Sequence, residues 1–141
     1  MNAAFPRWFR TAFLILSCVS LLLSCSRKVR FDTSSIVPAA SGTVKYKKDK
    51  NSNYAVHAKV LHLAPPSSLS PSRSVYVFWV ETSGNGVKNL GRINTDTRLL
   101  SKTLRASLDA VTPYEPRSFF ITAEDNADIT YPGPEVVLRT R

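Results

Sequence analysis

Two histidines, a short acidic run, a lysine cluster and two cysteines hold most of the chemistry this 141-residue chain could perform. His57 and His62 are five residues apart in one β-like stretch. Strand alternation points them to opposite faces, away from a shared metal or a joint catalytic role. Serines are plentiful, but no Gly-x-Ser-x-Gly elbow presents one as a nucleophile. Glu124, Asp125 and Asp128 offer oxygen ligands without the spacing of a calcium loop, so a solvated turn is expected there. Glu81 and Glu135 have no neighbour in sequence to pair with. A glycan-acting enzyme would need Glu124, Asp125 and Glu135 gathered around a deep pocket. The expectation is a protein that is not an enzyme and binds no metal.

The cysteines belong to a different chemistry. Arg7 and Arg10 precede an uncharged apolar run from Phe13 to Leu23, eleven residues long. That is the length of a signal-peptide core, and short of the roughly 20 residues a membrane-spanning helix needs. A plain N-terminal membrane anchor is the alternative. The run ends in Leu22-Leu23-Ser24-Cys25, which resembles the lipobox of bacterial lipoproteins. The resemblance implies recognition of Leu22, Leu23 and Ser24 by the signal peptidase, diacylglycerol on the Cys25 thiol, and cleavage before Cys25. An acyl group, typically palmitate, on the new amine would follow. Two or three acyl chains anchor stably where one is marginal. Ser26 after the cysteine, where sorted lipoproteins retained in the inner membrane carry Asp, implies the outer membrane of a diderm host, facing the periplasm. Cys18 lies in the removed segment, so no thiol is left for a disulfide, a metal or a nucleophile, and covalent lipid is the only cofactor expected.

The whole chain carries 19 basic and 10 acidic residues, a formal +9. Removing Arg7 and Arg10 leaves seventeen against ten, a net of +7. A chain exported from the cytoplasm meets little nucleic acid, so nucleic-acid binding is not expected. Arg27, Lys28 and Arg30 beside the anchor have two readings: attraction to anionic headgroups, at about 1 kcal/mol each, or a solvated tether. Lys45, Lys47, Lys48 and Lys50, with Asp49 among them, also have two. They could contact an anionic glycan or lipid, or they could guard a sheet edge against pairing, which is the commoner use of such lysines.

The elements that would position these residues read as β throughout. With 43% apolar residues and mean hydropathy −0.10 the chain fits one globular domain. The expected division is a signal peptide over 1–24, a lipidated terminus and linker over 25–41, and a domain over 42–141. Short strands are expected over 43–47, 54–63, 75–80, 87–93, 103–108, 117–123 and 135–139. In the second, Val56, Ala58 and Val60 face inward and His57 and Lys59 outward. The third, Val75 to Val80, is apolar on both faces and reads as central. Asn85-Gly86 suits a type I′ hairpin turn. Residues 94–103 have helical spacing at Leu99, Leu100, Thr103 and Leu104, but strand is preferred. Seven strands in about 100 residues suit an immunoglobulin- or fibronectin-like β-sandwich without a disulfide, with Trp79 as its core pivot.

Four segments recur in an order seen elsewhere: Tyr76-Val77-Phe78-Trp79-Val80, Leu90-Gly91, Ile121-Thr122-Ala123-Glu124 and Tyr131 to Leu138. This resembles the extracytoplasmic C-terminal domain of anti-sigma-K-type factors, over roughly residues 43–140. The resemblance implies the fold and an envelope-facing sensing or ligand-binding module. Such factors also carry a cytoplasmic sigma-binding region and a full transmembrane helix. Neither pattern occurs in these 141 residues, so sigma inhibition does not transfer. The leading expectation is a non-catalytic binding module on a lipid anchor, whose partner is an envelope protein, a glycan or anionic lipid. An accessory to envelope signalling comes second.

Overall fold

Apolar residues at every second position, separated by Pro-, Gly- and Ser-rich breaks, leave most segments one face to bury, and the strands do so against one another. The computed structural model describes residues 26–96 and 104–141. Eight strands form one curled antiparallel sheet: β1 Arg27–Arg30, β2 Ser41–Lys48, β3 Tyr54–Leu61, β4 Val75–Thr82, β5 Val87–Asp96, β6 Arg105–Thr112, β7 Pro116–Glu124 and β8 Val136–Arg139. Their order across the sheet is β1-β2-β3-β6-β5-β4-β7-β8. β5 makes the corner. Its first part pairs with β4, and Asn94 to Asp96 pair with β6. At the far side Phe31 bridges Thr140, so the two outer strands also meet. The result is the all-β, sandwich-like fold expected from the strand pattern, with no cysteine in residues 26–141.

The two halves close on one core. Val44, Val56, Ala58, Val60 and Ala106 come from one side, and Tyr76, Phe78, Val80, Phe119, Ile121 and Leu138 from the other. Tyr46 meets Phe119 across the middle at 5.3 Å, and Phe119 stacks on Phe78 at 5.6 Å. β4 is central as expected, buried on both faces from Val75 to Val80. Tyr76 donates its hydroxyl to the Ala64 carbonyl at 2.8 Å, and burial pushes its pKa up to about 12.

Three readings need correction. Residues 27–40 are not a linker. Arg27–Arg30 pair with β2, and the Ser34 hydroxyl accepts from the Val37 amide at 2.9 Å, closing a corner that buries Val37 and Ala40. Val29 alone supplies the inward apolar contact of β1 and leaves no apolar period to read. The β4–β5 turn is where Asn85-Gly86 put it, but it is not type I′. Only Gly86 in this loop has positive φ, +69°. The Thr82 hydroxyl accepts from the Asn85 amide at 2.9 Å and donates to the Gly86 carbonyl at 2.7 Å, which holds a longer loop. Finally, β3 ends at Leu61, and His62 lies beyond it at φ +56°. The expected signal segment with Leu22, Leu23, Ser24 and Cys25, and the helix-or-strand question at Leu99, Leu100 and Thr103, lie outside the described residues.

Candidate functional site: a basic sheet face

Antiparallel partners share a face, so the register of β1, β2, β3 and β6 decides which charges meet. Lys28 stands opposite Lys45, Lys45 opposite His57, and His57 opposite Asp109. One row along, Arg30 faces Thr43, Thr43 faces Lys59, and Lys59 faces Ser107. Lys47 starts a third row with Ala55 and Val111, the last of these 65% exposed. The outer face of this half is thus a sheet of cations: Lys28, Arg30, Lys45, Lys47 and Lys59.

None of these five has a carboxylate partner among the described residues. The nearby acids are engaged elsewhere. Asp109 accepts from His57 Nδ1–H at 2.6 Å. Asp49 turns its carboxylate to the Asn51 and Asn53 amides at 2.8 and 2.9 Å, tying the β2–β3 turn. Like charges directly opposite on a sheet cost stability, so the Lys28–Lys45 pair is kept at a cost. The face has only shallow relief. A depression of about 580 Å³ lies along Lys45, Lys47, Ala55, His57 and Val111. A second of about 530 Å³ lies along Lys28, Arg30, Thr43, Lys45 and Lys59.

Of the seven cations singled out by sequence, four share this face, and Lys50 lies in the β2–β3 turn. Arg27 and Lys48 do not. Arg27 is opposite Tyr46 and Lys48 opposite Tyr54, on the inward parity, and both line a 270 Å³ recess with Glu115 at the end of the sandwich. Edge protection by the β2 lysines is also corrected, because β2 lies between β1 and β3. Lys59 was missed as a site residue. Its parity with His57 was legible, but its company with Lys45 needed the β2–β3 pairing.

The other half disposes of its charges differently. Arg73, in the Ser-rich loop, donates to Glu135 and to Asp125, both at 2.9 Å. The hydrogen bond from Arg73 holds the Glu135 carboxyl below the usual carboxylate range, and the same bond raises the Arg73 pKa. Glu124 accepts from the Gly133 amide at 2.7 Å, and Glu81 from the Ser118 hydroxyl and from Arg139. The expectation that Glu81 and Glu135 pair with nothing is therefore wrong, since folding supplies partners far away in sequence. Glu124, Asp125 and Glu135 serve as clasps of the 125–135 segment, and none of them lines the depressions described above. Among the described residues no three His, Cys, Asp or Glu side chains gather as a metal site would.

That clasped segment covers Trp79. The indole donates to the Thr122 hydroxyl at 2.8 Å and stacks on Phe120 at 6.2 Å. Trp79 is fully buried, in a second cluster with Val75, Val77 and Phe120 on the outward side of β4 and β7. It is a pivot, as expected, but of this outer layer and not of the main core. No family model, curated protein or solved structure matches the chain. The site therefore has to be read from its own geometry.

Proposed function

We propose that the chain is an envelope lipoprotein: a non-catalytic β-sandwich binding module held at a membrane by acyl groups on Cys25. The observation that carries this reading is Leu22-Leu23-Ser24-Cys25 at the end of an eleven-residue apolar run. Position supports it too, because β1 begins at Arg27, two residues after the cysteine. Cleavage before Cys25 would release the domain whole. The broad, shallow cationic face suits contact with an anionic partner better than turnover of a small substrate. Ser26 favours delivery to the outer membrane in a diderm cell.

Growth with an alkyne analogue of palmitate tests the anchor. The wild-type chain is expected to take up label and to shorten by the signal segment. Cys25→Ser is expected to lose both label and cleavage. An unlabelled wild type, or label persisting in Cys25→Ser, overturns the reading.

A further inference from the structure

We infer that the domain lies flat on the membrane that anchors it, with the outer face of β1, β2 and β3 against anionic phospholipid headgroups. The inference rests on acylation at Cys25. Arg27 is two positions after Cys25, and an extended chain covers at most about 3.6 Å per residue. The start of β1 is then held within about 7 Å of the anchored residue, inside the roughly 8–10 Å over which charges act at physiological salt. With β1 at the surface, orientation is decided by which face turns toward it.

Charge complementarity decides it. Lys28, Arg30, Lys45, Lys47 and Lys59 share one face and lack carboxylate partners among the described residues. The carboxylate described on that face, Asp109, is bonded to His57. The other half carries Glu81, Glu124, Asp125, Asp128 and Glu135. Cations of that half such as Arg73 and Arg139 are paired with those acids, so turning it to an anionic leaflet would bring no comparable run of unpaired positive charge. The basic face also has an apolar margin in Ala55 and the exposed Val111, beside Lys47, which suits the boundary between headgroups and acyl chains. Lysine stems add to this, because they bury their methylenes while the ammonium stays among phosphates. The five cations meet their neutralising partner in the bilayer, which offsets the repulsion between Lys28 and Lys45.

The test uses the full chain, processed in cells and reconstituted into vesicles of phosphatidylcholine alone or mixed with phosphatidylglycerol. Peptide masses from the same preparation report the acyl group on Cys25. Rates of amine acetylation, read lysine by lysine, report the face. Lys28, Lys45, Lys47 and Lys59 are expected to react about fivefold more slowly on anionic than on neutral vesicles, the factor one lysine contributes at a charged surface. Lys88, on β5, is expected not to change, and the protection should vanish in about 1 M salt, where screening acts within roughly 3 Å. In Lys45→Gln/Lys47→Gln/Lys59→Gln, Lys28 should return to its neutral-vesicle rate with Cys25 still acylated. The matching arginine variant should keep Lys28 protected. Equal rates on both vesicles with Cys25 acylated overturn the docking and leave the anchor standing. A bare Cys25 overturns the anchor, and the docking with it. Stronger protection by a soluble anionic polysaccharide than by anionic vesicles assigns the face to a polymer and overturns the lipid proposal.

Discussion

Behind β4 and β7 the outward side chains Val75, Val77, Trp79 and Phe120 are buried beneath the 125–135 segment, whereas the outward side chains of β2 and β3 stand in solvent as Lys45, Lys47, His57 and Lys59. The difference begins in the sequence of single strands. β4 is apolar at both parities, so one sheet face cannot satisfy it, and a loop must be recruited as a second layer. Holding that loop uses acids: Glu124 on the Gly133 amide, Asp125 and Glu135 on Arg73. β2 and β3 alternate cleanly and need no cover. Their outward positions are free to carry charge, and the acids spent on the other half are not available to neutralise it.

The strongest break in this comparison is Trp79→Ala. It removes a fully buried indole that bonds to Thr122 and stacks on Phe120, and should cost about 3–5 kcal/mol in urea unfolding. Lys45→Ala, also outward-facing but exposed, should stay within about 0.5 kcal/mol. Comparable losses at the two positions would show that the basic half is as structural as the covered one.

The cover itself is pinned by Asn89. Its side-chain amide donates to the Ala127 and Ile129 carbonyls, both at 2.9 Å, and its oxygen accepts from the Gly91 amide at 2.8 Å. Asn89→Ala should cost about 0.5–1.5 kcal/mol, since three half-buried backbone groups lose their bonds. Amide exchange should quicken over 125–135 and stay unchanged in β2 and β3. Exchange that quickens everywhere would mean that the cover and the core do not separate.

How much of this was legible follows the same divide. Val56, Ala58 and Val60 against His57 and Lys59 gave β3 its faces from alternation alone, and the unbroken apolar run of β4 announced a strand covered twice. β1 was not legible, because Arg27-Lys28-Val29-Arg30 offers a single apolar residue and becomes a strand only through β2. The Arg73 clasp was hidden for the same reason. Arg73 sits in a Ser-rich loop and meets partners 52 and 62 residues away. The cations were visible as a group, but only register separates Lys28, Arg30, Lys45 and Lys47 from Arg27 and Lys48, and adds Lys59.

Titration separates the clasp from the core. Glu135 is held below the ordinary carboxylate range by Arg73, so its contribution is present above the unfolded carboxylate pKa and is lost as pH falls through the folded value. Wild type should lose stability on acidification by more than Glu135→Gln does, as read by thermal melting across the acid range. Tyr76 has the opposite sign. Its folded pKa is raised from 10.0 to about 12, so its contribution is complete below the unfolded value and fades as pH rises from about 10 toward 12. Tyr76→Phe should flatten that alkaline decline, and an unchanged slope would remove burial of the phenol as its cause.

The smallest effect concerns the bare face, and its sign is the informative part. Lys28 opposes Lys45, so Lys28→Gln should stabilise the isolated protein, by about 0.2–1 kcal/mol at low salt. The gain should shrink as salt is added, because exposed charges are screened within a few ångströms at high ionic strength. Neutralising a residue in the covered half works the other way, since Arg73 bridges two carboxylates and its loss leaves both unpaired. A stabilising Lys28→Gln beside a destabilising Arg73→Gln, both measured by urea unfolding at low salt, would mark the first charge as held for an external partner and the second for the fold. Destabilisation by Lys28→Gln would instead give β1 a structural need for that charge and remove the repulsion from the argument.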